Sequence, residues 1–561
     1  MEVGAVRVSL VVFSFAAGAF GALVPADSTL RGLGFKDESV LYAAAQTVTE
    51  KITGAYNIQA GENGAGGKIV TIGGTENDFS GGAYVKSGTL AVPALGMSYL
   101  ATALGRTWNE GVPGAPIVLA QGTLRIAGNG MTDRDFALYQ DSNQRDRPAT
   151  IWVEEGAEAL TTGRMLQPVE NTGNLLKRGP GAYVLATKTP GAVNRIGRVA
   201  ALAKDGKLNQ DADGNYPTAG YSAFTITDGR FVIDTADSVT NVLNQVRIGG
   251  YTTDAAGAET AGHLEIRGGV NFIHGANVQL GKENGTATTA ASPLRSSIDV
   301  SGGETFVTGT VYMVFGYGKS YTACPELNVS GGAIDVRSLV LNDQCSSGRL
   351  SVSGGRLRLG DATVGYNHSG SKLDIALSGR GELVVDGSLQ YGRNTDAYGT
   401  ISIADGAVLR LARLTSSAYN RSKETVLFDG GQVAFTGGEA NETANFWGAG
   451  VQVGARGGTI DVTDCSELGT ECRMPITTAE GVAEDGGLTI RNRGLAKRSF
   501  RFFKPVSSVG GIRAEGNVVL KVLGETYPTT FTVPAEASFG ARITDDSTAA
   551  LTATVGSALM A

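Results

Sequence analysis

The stretch ELNVSGGAIDVRSLVLNDQCSSGRLSVSGGRLRL, residues 326–359, contains one phrase twice, as LNVSGGAIDV (327–336) and LSVSGGRLRL (350–359). In each copy apolar residues alternate with polar ones, two glycines interrupt, and the alternation resumes. A period of two puts Leu and Val on one face of a strand and Asn, Ser or Arg on the other, so each strand buries one side only. The glycines supply the backbone conformations that a sharp corner needs. The phrase reads strand, corner, strand.

Relatives of the phrase recur on both sides: FTITDGRFVI, LEIRGGVNFI, IDVSGGETFV, IALSGRGELVV, ISIADGAVLRL, LFDGGQVAF and GARGGTIDV. The residue before each corner falls at Ile226, Ile266, Val300, Val329, Val352, Leu377, Ile403, Phe428 and Ala455, with steps of 40, 34, 29, 23, 25, 26, 25 and 27. A second apolar segment ending in glycine follows several corners, at Gly249, Gly281, Gly316, Gly365 and Gly392. A unit of this size cannot bury its apolar face alone, but units stacked at ~4.8 Å build continuous parallel sheets around a shared core. The expected fold is all-β, a parallel β-helix with irregular coils of about 23–40 residues. At about 25 residues per coil, the chain makes ~20 coils and a rod near 95 Å long. A β-propeller or a row of small sandwiches is the competing architecture. A propeller needs near-constant spacing, and the drift here suits a solenoid that absorbs loops.

Composition agrees. Glycine is 81 of 561 residues, about twice the usual share. Proline is only 15 and glycine shows no triplet period, which excludes collagen. With 42% hydrophobic and 18% charged residues, the chain is too apolar for a disordered linker and too poor in charge for long solvated helices. A net charge of −7 argues against a nucleic-acid partner.

Residues 1–26 read as a secretory signal: Arg7, an apolar run from Val8 to Val24, then small residues at Val24-Pro25-Ala26. No later run is long enough to span a bilayer, so no transmembrane segment is expected after signal removal. Residues 27–60 are expected to form a cap, with DESVLYAAAQTVTEKI (37–52) as its helix. Coils fill 61–525, and 526–561 form a closing β segment or truncated junction. Four cysteines in an exported chain favour two disulfides. Cys465 and Cys472 bracket a small loop, and Cys324 and Cys345, five and seven residues before Val329 and Val352, are expected at one corner of neighbouring coils.

Three stretches carry a family resemblance. TIGGTENDFSGGAYVKSGTLAV (71–92) resembles the unit of autotransporter-associated β-strand repeats, an N-x-[YF]-S-G-G turn before a V-x-x-G-T-L-x-V strand. GNLLKRGPGAYVLAT (173–187) is similar to that family's G-x-L-x-K-x-G-x-G-x-L-x-L segment. Residues 358–394 resemble related repeats of large bacterial surface proteins. The resemblance implies a right-handed parallel β-helix exported to the bacterial surface, acting as an adhesin or scaffold, with no family-level catalytic residues. After residue 525 the sequence shows neither the strands of an outer-membrane barrel nor a sorting tail, so anchoring is expected to come from elsewhere.

Chemistry is sparsely written. β-Helices also carry polysaccharide lyases and glycosidases, which need close carboxylates or a calcium-bound acidic cluster with a basic residue. Asp361, Asp386 and Asp405 near successive corners, with Arg356, Arg358 and Arg410, are the candidates. The structural alternative is that each Asp caps a turn and each Arg is solvated. NQDADGN (209–215) begins like a calcium loop but has Gly220 where the bidentate Glu belongs, and His368 sits in a loop motif. RNRGLAKRSFRFFKP (491–505) reads as a strand with Phe inward and Arg outward rather than an anion-binding patch. The expected function is a non-catalytic structural or adhesive surface module, with a polysaccharide-active enzyme as the alternative. Neither a cofactor nor a metal is expected. Glycans or other surface proteins are the expected partners, contacted through loops at 187–222 and 250–262.

Overall fold

The computed structural model describes residues 19–22, 36, 38–61, 68–106, 114–139, 148–167, 173–197, 224–249, 261–275, 277–281, 295–313, 324–341, 347–365, 371–392, 397–416, 422–437, 444–446, 448–466, 469–523, 529–534, 537–542 and 552–555. The chain is an all-β parallel β-helix with three ladders. One coil shows the plan. Gly262–Ile266 lies in the first ladder, a glycine corner follows, Val270–His274 lies in the second, Gly275 turns, and Asn277–Leu280 lies in the third. The chain then returns to Ser297–Val300, stacked in register on Gly262–Ile266. In the next five coils the second and third ladders are crossed by one continuous strand, beginning with Glu304–Met313 and ending with Val408–Ser416.

The first ladder is a 14-stranded sheet from Gly130–Thr132 to Val506–Ser507. Its register matches the repeat: Ile266, Val300, Val329, Val352, Leu377, Ile403 and Phe428 lie in one column. All seven are buried to 1% exposure or less, so the alternation does place one apolar face inside. The ends of the series shift. Ile226 belongs to the third ladder, where it pairs with Lys177 and Ile248, and Ile233 is the residue that continues the column. At the other end Val453, not Ala455, pairs with Phe428. Two similar strands, Phe224–Ile226 and Gly229–Ile233, follow each other here, and only the second belongs to the first ladder.

The double glycines have two separate causes. The first has no room for a side chain: a Cβ on Gly302, Gly331 or Gly354 would lie 2.2, 2.3 or 2.4 Å from the carbonyl oxygen of Arg267, Ser301 or Ser330 in the coil below. The second is crowded too, by the Thr235 and Asn241 side chains at Gly269 and by backbone at Gly303 and Gly332, and at all three it adopts φ between +66° and +79°. Just past that corner Asn194, Asn241 and Asn271 form a buried column. Asn194 Nδ2 donates to Asn241 Oδ1 at 2.7 Å, and Asn241 Nδ2 donates to Asn271 Oδ1 at 2.9 Å. The Asn271 amide also donates to corner carbonyls, satisfying groups that the turn leaves without a ladder partner.

Residues 38–52 are not a helix. Glu38–Tyr42 and Gln46–Val48 are strands, paired in parallel with Asn57–Ala60 and Ile69–Ile72. A ladder edge at the start of the solenoid offers this segment backbone partners, and pairing overrides its weak helical pattern. Ala19–Ala22, within the segment read as a signal, pairs antiparallel with Glu38–Tyr42. At the far end Thr530–Val533, Ser538–Arg542 and Thr552–Val555 continue the second and third ladders. No helix among the described residues is long and apolar enough to cross a membrane.

Candidate functional site

Aligning the phrases on their glycines shows which side chains face outward on the second ladder. The third residue after the corner is Phe272, Phe306, Asp335 and Arg358 in successive coils, and the register stacks these four in one row. The first two of the four are aromatic and half-buried. The Phe272 and Phe306 rings stack at 5.3 Å between centroids and 20° between planes. His274 lies parallel to Phe272 at 6.0 Å. Beyond the rings the row turns charged: Arg356 Nη2 donates to Asp335 Oδ1 at 3.2 Å, and Arg358 Nε donates to Asp386 Oδ2 at 2.8 Å.

Phe272, His274, Phe306, Asp335, Arg358 and Asp386 line a groove of about 570 Å³ at the corner between the second and third ladders, with Val307, Val336 and Gly360 also in its wall. The corner exists because the strand register shifts between Val307 and Thr310 and between Leu359 and Ala362, which bends the continuous strands. Gly360 keeps the wall low, since a Cβ there would lie 2.3 Å from the Arg337 carbonyl oxygen. His274 is buried, and burial lowers its imidazole to about 4, so it is neutral at pH 7. Its Nδ1 lies 3.4 Å from Thr308 Oγ1. The guanidinium of Arg358 is held above its ordinary range by the hydrogen bond and charge of Asp386, with help from Asp335.

Of the six residues picked from sequence, two meet in this groove, Arg358 and Asp386. Arg356 pairs with Asp335 close by. Asp361 caps the next bend by accepting from the Ser388 N–H at 3.1 Å. Arg410 pairs with Glu382 at 2.6 Å. Asp405 lies at the other corner with φ +55° and shares Arg456 with Asp429. That guanidinium holds the Asp429 carboxyl below its usual range. Each of the six therefore has a partner in an ion pair or a backbone cap. Among the described residues no group of three or more His, Cys, Asp and Glu side chains is placed to hold a metal ion.

The stretch 491–505 keeps Phe500 and Phe502 inside at 0% and 1% exposure, and turns Arg491 and Arg501 outward to Asp461 and Glu471. NQDADGN, His368 and Cys345 lie outside the described residues. So do most of the two loops proposed as contacts, and the residues bracketing them sit at different corners: Ile196 and Phe224 span the second to the third ladder, Ile248 and Gly262 the third to the first. Of the four cysteines the structure describes Cys324, Cys465 and Cys472. The register pairs Glu326 with Arg349 and so sets Cys324 opposite Ser347, whose Oγ lies 2.8 Å from Sγ. The coil step there is 23 residues, whereas the cysteines are 21 apart. Cys465 and Cys472 are free thiols, one beside Thr470 Oγ1 at 3.2 Å and the other donating to the Met474 carbonyl at 3.6 Å.

The largest departures from sequence reasoning are charges inside the rod. Lys177 is fully buried, and its Nζ donates to the carbonyls of Arg178, Gly179 and Asp228 at 2.9, 2.7 and 3.2 Å. Arg134, 1% exposed, donates to the carbonyls of Leu104 and Gly105. Asp485 does the converse at a corner of the C-terminal coils. Its carboxylate accepts from Gly487 N–H, Gly510 N–H and Ser508 Oγ on one oxygen, and from Thr478 Oγ1 and Val509 N–H on the other. Burial acts to raise its pKa, and the bonds from Thr478, Ser508 and the two glycines outweigh it and hold it below 3.8. The stability this gives is present above the unfolded-state pKa and is lost as pH falls through the folded-state value. Asp485→Asn should therefore cost about 2 kcal/mol at pH 7. In urea titrations that gap should close below pH 4; a gap that stays constant to pH 3 rules the assignment out.

Fold and groove together define a class: a parallel β-helix with a lateral groove where two ladders meet. Beyond the class, comparisons with protein-family models, with curated proteins and with solved structures find no match.

Proposed function

We propose that this chain is an exported, non-catalytic rod that serves a bacterial surface as a structural or adhesive module. The observation that carries the reading is the use made of its charges. The carboxylates and guanidinium groups sought as catalytic candidates are tied to one another across coils or to backbone N–H groups, which suits a scaffold whose outer faces hold themselves together. A hydrolytic or eliminating site instead needs acid and base held apart for a substrate. The apolar N-terminal run supports export.

Expression of the full chain in a Gram-negative host, followed by protease shaving of intact cells and N-terminal sequencing, tests this. The expected result is a surface-accessible chain that begins within a few residues of Ala26. Recovery of the uncleaved chain from the cytoplasm alone would overturn it.

A further inference from the structure

The row Phe272, Phe306, Asp335, Arg358 has a gap in it. Phe272 covers one side of the Phe306 ring, and the next side chain on the other side is the shorter Asp335, drawn towards Arg356. The next long side chain is Arg358, two coils from Phe306, or ~9.6 Å at the usual strand spacing. A ring in van der Waals contact on both sides needs ~7–8 Å. The interval beside Phe306 thus accepts one ring, with Asp335 at its edge and Asp386 and Thr308 within the same groove.

The chemistry around that interval selects the ring. One wall is an aromatic face suited to C–H groups, and the rim carries two carboxylates that accept and guanidinium groups that donate. That combination matches a pyranose, which has an apolar face of C–H bonds and a rim of hydroxyls able to donate and accept together. Carboxylates and guanidinium groups occur in equal number along the groove, Asp335 and Asp386 with Arg337 and Arg358, so the wall has no net charge to recruit an anionic or cationic ligand. An aromatic peptide side chain would fill the interval but leave the rim without partners. The rim groups of Arg358 and Asp386 are half exposed at 48% and 47%, so a hydroxyl replaces water there rather than entering a dry site.

We infer that the groove beside Phe306 binds a neutral pyranose oligosaccharide, with the Phe306 ring as stacking platform and Asp335, Arg358 and Asp386 as hydroxyl ligands. This deepens the adhesive reading above and rests on it for its biological sense.

The test is isothermal titration of the purified full chain with cellohexaose, xylohexaose, maltohexaose and hexagalacturonate. At least one neutral hexasaccharide should bind with a Kd of roughly 10 µM to 1 mM. Phe306→Ala and Arg358→Gln should each weaken that binding at least tenfold, Phe306→Tyr should keep it, and Leu495→Ala, exposed on a distant coil, should leave it unchanged. Far-UV circular dichroism on each variant verifies the fold, and two independent variants guard against the failure of one. The inference is overturned if no neutral hexasaccharide binds at 1 mM, if only hexagalacturonate binds, or if binding survives Phe306→Ala. A chain displayed on cells but blind to all the sugars removes the groove and leaves the surface role. A cytoplasmic chain that binds sugar does the reverse. Shortening of a bound sugar during titration upholds the groove and replaces the non-catalytic reading with the enzymatic one.

Discussion

Gly332→Ala is expected to cost roughly 3 kcal/mol or more, a large effect for one methyl group. Two penalties coincide at this residue. Its φ is +66°, a region that L side chains adopt only under strain, and its Cβ would lie 2.5 Å from the Gly303 carbonyl oxygen. The coil below cannot yield locally, because Gly303 is seated on Gly269 at 2.4 Å by the same measure. Gly156 separates the two contributions. It has φ +72° but nothing within 4 Å, so Gly156→Ala should show only the conformational part, about 1 kcal/mol. A solenoid need not unfold in one step, so the comparison belongs in hydrogen exchange resolved by coil as well as in denaturant melts. Equal losses for the two variants would mean that the corner column carries no packing constraint.

The second large effect is a pH dependence set by Lys177. Three carbonyls around one nitrogen are the acceptor set of an ammonium, since a neutral amine has only two N–H groups. Burial opposes the charge and lowers the group from 10.5 to about 7, with Asp228 working against the shift and Arg230 with it. Between pH 7 and 10.5 the unfolded chain therefore binds the proton and the folded chain sheds it, so stability rises with pH across that window. Relative to Lys177→Met, which has no titration there, the wild-type chain should gain up to about 4 kcal/mol between pH 7 and 10.5. Measuring both proteins cancels the other groups that titrate in this range. A parallel pair of stability curves would show that the amine keeps its ordinary pKa despite its burial.

The parts of this fold that were legible in the sequence are those that repeat. Ile266 to Phe428 share a column because each coil meets the same neighbours, and the same solution recurs often enough to be read by self-comparison. Legibility fails where the step changes. The 224–233 coil holds a phrase on the third ladder that mimics the first, and the 23-residue step at Val352 sets Ser347 opposite Cys324. Asp386 and Arg358 are legible because they lie near the recurring corners. Phe272 and Phe306 are not, because two aromatic residues at alternating positions read like any other apolar strand residues until the coils are set in register. Lys177 gave the least warning. In LLKRG it occupies an inward phase that alternation reserves for apolar residues, and what accommodates it there is a set of three carbonyls, those of Arg178 and Gly179 next to it and that of Asp228, 51 residues away.

The three ladders also determine how the rod meets a load. Among the described residues the ladders bond each coil to the one before and the one after, and side-chain links such as Arg456 to Asp405 reach only one coil further, so tension applied between the ends acts on the outermost coils first. Peeling one coil of about 25 residues frees ~85 Å of slack while the remaining stack stays intact. A rod built this way lengthens in discrete increments under load and dissipates a sudden pull along its own length.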